Sequence, residues 1–95
     1  MKLITLDAST WQTRKDFYGA LLPELGAPGW HGENLNALYD SMGNDDINSV
    51  NPPYQIKIVG TASLPPELRR HLELFTEVVV DVRTSKRRQI ALIIE

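Results

Sequence analysis

Two spacings of apolar residues divide this chain. Short runs of β-branched and aliphatic residues at 2–6, 54–59 and 89–94 read as strands, while the stretches between them carry apolar positions at the wider helical interval. Phe17, Leu21 and Leu25 recur at i, i+4 and i+8 behind Thr13, which is placed to cap a helix opening on Arg14, Lys15 and Asp16. Leu35, Leu38 and Met42 recur at i, i+3 and i+7. A third stripe, Leu68, Leu72, Phe75, Val79 and Val82, belongs to a helix that starts between Ser63 and Pro66. The order β-α-α-β-α-β predicts an α/β fold, a three-stranded parallel sheet packed with helices, in one domain spanning 1–95.

Breakers sharpen some boundaries and leave one open. Pro23 removes a backbone donor and is expected to kink the first helix or end it near Leu22, ahead of the Gly26-Ala27-Pro28-Gly29 turn. Residues 78–82 are β-branched enough either to continue the third helix or to form a strand that turns through 83–88 into the last one. From Asn44 to Pro53 the chain reads as a polar loop.

With Leu35, Leu38 and Met42 facing a core, Asn36, Tyr39 and Asp40 share another side of the second helix. Gly43 and the Asn-rich stretch after it stop this helix, so Asp40 lies close to its negative end. There a carboxylate costs a few tenths of a kcal/mol, roughly 0.3, which a sequence selected for folding alone has no reason to accept. Trp30, in the loop after Gly29, and Tyr39 both read as exposed. Large aromatics beside acids are what a protein-binding hot spot needs.

Charge supports a cationic partner. From Asp16 to Ile56 there is no Lys or Arg, against the six acids Asp16, Glu24, Glu33, Asp40, Asp45 and Asp46, although the net charge of the chain is only -2. Direct nucleic-acid binding through such a surface is not expected. No apolar run reaches the roughly 18 residues of a membrane span, and the opening residues have too short an apolar stretch for a signal peptide, so a cytoplasmic protein is expected. The absence of cysteine excludes disulfides and thiol catalysis.

Other chemistry is poorly supported. His31 and His71 belong to no metal-ligand spacing, and His71 reads as a surface or boundary residue. Ser41, His31 and Asp40 make a hydrolytic set on paper, but no nucleophile elbow accompanies them and side chains so close on one short helix would not readily form the relay. Asp45, Asp46 and Asn48 lack the glycine and terminal Glu of a calcium loop. Gly26, Gly29 and Gly32 precede a helix as a phosphate cradle does, but no Lys-Ser/Thr follows and Glu33 stands where the phosphate would sit. No metal or cofactor is expected.

The segment Trp30-His31-Gly32-Glu33-Asn34-Leu35-Asn36-Ala37-Leu38-Tyr39-Asp40 resembles the aromatic-aromatic-Gly-Glu-Asn-Leu-Asp-Ala-Leu-Trp-Asp segment of the barstar family, intracellular inhibitors of a small secreted ribonuclease. The order of elements is similar along nearly the whole chain. The resemblance implies an inhibitor, monomeric when free, that plugs a cationic ribonuclease active site with an acidic helix and the loop before it. It places Asp40 where the RNA phosphate would bind, Trp30 at the loop aromatic, Gly32 and Asn34 at the loop contacts, Tyr39 at the helix aromatic and Glu77 as a supporting acid on the third helix. The chain departs from the pattern at Asn36, an acid in the family, at Tyr39, a Trp in the family, and in the loop after Gly43. A related ribonuclease, or a different cationic toxin domain, fits these departures as well as the family's own target does.

Overall fold

A computed structural model describes residues 1–95. Strands β1 (Lys2–Asp7), β2 (Tyr54–Val59) and β3 (Ile90–Ile94) form one parallel sheet in the order β1-β2-β3. Lys2 pairs with Tyr54 and Tyr54 with Ile90, so all three strands begin at one level. Parallel neighbours require crossovers, and helices α1 (Arg14–Leu25) and α2 (Leu35–Gly43) supply the first while α3 (Pro66–Ser85) supplies the second. The element order is the one that the apolar spacing predicts.

Alternation along the strands gives the sheet two unlike faces. Ile4, Leu6, Tyr54, Ile56, Ile58 and Ile90 are buried in the core, whereas Leu3 and Ile93, on the other face, are exposed. Phe17, Leu21 and Leu25 of α1, Leu38 and Met42 of α2, and Leu68, Leu72, Phe75, Val79 and Val82 of α3 complete the buried cluster. Phe17 lies at its centre, edge-on to Trp11, Tyr18, His71 and Phe75. No helix is long and apolar enough to cross a membrane.

The structure corrects two expectations and settles one that the sequence leaves open. Pro23 neither ends nor breaks α1, which runs through Leu25. The carbonyl left without a donor belongs to Gly19, one turn back and exposed to water, while the fully buried Leu25 anchors the last turn. Gly26 stops the helix: at φ 64° its N–H donates to the Pro23 carbonyl and the Ala27 N–H donates to that of Leu22, both at 3.0 Å. A side chain here is excluded twice, by that φ and by Ser49, whose Oγ lies 1.8 Å from where a Cβ would stand.

Residues 78–82 are helix, because Val79 and Val82 continue the buried stripe of Leu72 and Phe75 and their burial outweighs weak helix propensity. Burial also claims His71, expected at the surface or its boundary. It lies three residues after Leu68 and four before Phe75 on the inner face of α3, and its Nε2 is 2.8 Å from the Tyr18 hydroxyl. Desolvation, helped by the nearby Arg14 cation, lowers the pKa of His71; burial pushes that of Tyr18 up to about 12.

Candidate functional site

Helix α2 is short, and an isolated helix of this length would not persist in water. Three contacts outside its own backbone ladder hold it. At the N-terminal end Asn34 is the cap: its Oδ1 accepts the Ala37 N–H at 2.7 Å. Gly32 makes room for that cap, since a Cβ there would stand 2.8 Å from Asn34 Nδ2. Both residues therefore shape the loop, and Asn34 remains exposed.

The second contact ties the loop to the helix. His31 Nδ1 is 2.7 Å from the Gly32 carbonyl and Nε2 is 2.8 Å from Ser41 Oγ. A carbonyl only accepts, so Nδ1 carries the proton and Nε2 accepts the Ser41 hydroxyl. The sequence argues against a relay of Ser41, His31 and Asp40; Ser41 and His31 do meet, without Asp40. What completes the set is a backbone carbonyl, not Asp40, and both residues are buried, so the pair is a staple between loop and helix and offers a substrate no approach.

At the C-terminal end the turn between α3 and β3 closes on α2. Arg88 Nε donates to the Met42 carbonyl at 3.2 Å and its NH1 pairs with Asp45 at 2.6 Å. Lys86 lies over the Tyr39 ring, 5.7 Å from its centroid, and its aliphatic stem packs against Gly43. Two cations at the negative end of α2 offset part of what Asp40 costs there. Neither was singled out from the sequence; both are basic residues next to a helix end, but their target is another helix.

Between these supports the expected face forms. Asn36 and Asp40 are exposed, and the Asp40 carboxylate takes part in none of the chain's ion pairs. Trp30 is 76% exposed, as expected. Tyr39 is less open than the sequence suggests, being part-buried against the core beneath Lys86. Asn34 and Asn36 line a cleft of about 220 Å³ with Glu33, Arg14 of α1 and His71 and Leu74 of α3. Glu77 is exposed on α3 and borders a different hollow, with Thr76, Val80 and Asp81.

The linear absence of cations from 16 to 56 does not carry over whole into three dimensions. Arg14, Lys86 and Arg88 reach this region from either side of it in sequence, and Asp45 is neutralised by Arg88. Asp16 is engaged as well: its carboxylate accepts the N–H groups of Gln12 and Thr13 at 2.8 and 3.1 Å, which lowers its pKa. No group of three His, Cys, Asp or Glu side chains is arranged to hold a metal ion.

An α/β protein that presents an unpaired acid on a helix fixed at both ends, with an exposed Trp in the loop before it, has a surface of the kind that grips another protein. A family model described as Barstar (barnase inhibitor) matches residues 1–95, and the chain belongs to that family. Its description is that of an inhibitor, a binding protein and not an enzyme. No curated protein matches the sequence.

Proposed function

We propose that this protein is a cytoplasmic inhibitor of a small basic ribonuclease, which it binds one to one and blocks by seating α2 and the loop before it in the active site. The observation that carries this reading is the Asp40 carboxylate, exposed and without an ion-pair partner of its own, at the position to which the resemblance of the 30–40 segment assigns the plugging acid. Facing the Arg and Lys groups of such an active site it makes charge-assisted hydrogen bonds, and the acids around it speed encounter. Trp30 and Tyr39 supply apolar contact area, Gly32 lets the loop approach closely, Asn34 and Asn36 offer neutral hydrogen bonds, and Glu77 adds to the acidic field. No cofactor takes part.

A second reading has its own support. Asn36 is neutral where the family has an acid, and Lys86 sets a cation on Tyr39, so the face is less acidic than the family pattern. These features fit a cationic toxin domain other than barnase, for which the chain would act as an immunity protein.

Titration calorimetry against barnase and a panel of small basic ribonucleases, with RNA cleavage measured in parallel, tests the first reading. One-to-one binding with loss of cleavage is expected, and binding that left cleavage untouched would end the plug mechanism. Asn36→Asp, measured at two salt concentrations, separates the readings. A partner close to barnase binds this variant more tightly and with steeper salt dependence, whereas a partner fitted to a neutral residue binds it more weakly, by about 1 kcal/mol or more, because the new charge has no mate.

A further inference from the structure

Where the α3–β3 turn meets the start of β3, a second region of the molecule carries charge of the opposite sign. Arg83, Arg87 and Arg88 line an open cleft of about 600 Å³ with Gln89, Ile90 and Ala91, and no carboxylate lines it. Arg83 and Arg87 are exposed and belong to none of the chain's ion pairs. Arg88 commits Nε to the Met42 carbonyl and NH1 to Asp45, which leaves its other terminal nitrogen uncommitted.

The backbone adds an independent observation. Arg87 stands at φ 55°, the only residue other than glycine in the left-handed region, immediately after the Lys86 cap of α3. This position favours glycine, and the chain uses glycine for it at the end of α1. Attraction to the helix dipole explains a cation in the last turn, as at Arg83, but it gives no reason to place one on a strained backbone when Lys86 beside it meets the same field without strain. A side chain retained against the conformational preference of its own backbone points to a use for that side chain.

We propose that this cleft is an anion site and that Arg83 and Arg87, with the free edge of Arg88, take a phosphate group. Planar guanidinium forks bind phosphate oxygens in pairs, and two unpaired arginines lining one cleft, beside a third whose pairing to Asp45 uses NH1 alone, suit a ligand that carries more than one negative charge. The cleft is large enough for a nucleotide-sized group. Its ligand is either a free phosphate compound or the backbone of a single-stranded RNA. The site shares Arg88 with the support of α2 but none of the residues of the α2 face, and it needs no ribonuclease to be detected.

The test is a titration of the isotope-labelled protein, followed by amide and arginine side-chain resonances, with pyrophosphate and separately with an RNA oligonucleotide of about eight residues. Saturable shifts centred on residues 83–91 are expected, with binding weakened about tenfold or more by Arg83→Gln combined with Arg87→Gln. Saturation by pyrophosphate alone assigns a free phosphate ligand, and tighter binding of the oligonucleotide assigns the RNA backbone. Arg87→Gly guards against a folding artefact, because it relieves the backbone: its thermal midpoint should rise by about 4 °C while phosphate binding falls. Shifts spread equally over Arg14, Arg69 and Arg70, or an Arg87→Gly variant that binds as the wild type does, would overturn the proposal.

Discussion

Removing the carboxylate of Asp40 separates what it does for a partner from what it does for the fold. In the proposed complex its loss would strand several cations of the partner, so Asp40→Ala should weaken binding by about 4 kcal/mol or more, the size known for a hot spot at interfaces of this family. In the free protein the same change deletes a charge at the wrong end of a helix, and the thermal midpoint should stay or rise slightly. Calorimetry with the cognate ribonuclease and a melting curve check both halves; binding within tenfold of wild type would show that another residue is the plug. His71 poses the opposite case, a group whose charge concerns the fold alone. Its folded pKa is lowered by burial, with Arg14 acting in the same direction and Glu67 against it. Above the unfolded value of about 6.5 both states hold it neutral; as pH falls below that, the unfolded chain gains a proton that the folded one refuses. Stability should therefore decline from pH 7 toward pH 5, and urea unfolding should show a flatter decline in His71→Phe. The carboxylates of Asp7 and Asp16, whose folded values are lowered, lose their contribution only at more acid pH.

Helix α2 owes its position to elements remote from it in sequence. Arg88 is 46 residues from the carbonyl it caps, and with its side chain only 15% exposed it also closes a contact to Asp45. Arg88→Ala should cost about 1–2 kcal/mol of stability, and its local signature is faster amide exchange in residues 40–44 than in β2. Uniform acceleration across the chain would show that Arg88 acts on the whole fold and not on α2. These contacts also mark the limit of what periodicity reveals. The apolar stripes of all three helices were legible because a core face repeats at a fixed interval, and so was the polar face of α2 that remains. The survival of α1 past Pro23 was not, since it depends on the burial of Leu25 and on the Gly26 cap. The polarity of His71 points to the surface, but its spacing from Leu68 and Phe75 puts it on the inner face, and spacing prevails. Lys86 and Arg88 could be read as helix-end cations but not as supports of α2, because nothing local encodes which helix a turn will meet.

Over the whole molecule, charge is sorted by folding and not by order along the chain. The acidic middle segment emerges with Arg14, Lys86 and Arg88 brought up to it, and the arginines of the α3–β3 turn divide between holding α2 and lining a cleft of their own. Strand pairing explains why: β2 lies between the first and last strands, so crossovers from both halves of the chain converge around the sheet. The same connectivity imposes an order in time. Synthesis delivers Asp40 and Tyr39 long before Lys86 and Arg88, and a nine-residue helix does not hold itself in the interval. A nascent chain interrupted ahead of Lys86 would own every side chain of the proposed binding face and lack the contacts that hold the C-terminal end of α2. In the proposed complex the ability to bind waits for Lys86 and Arg88, so a copy broken off before them would not occupy the partner without silencing it.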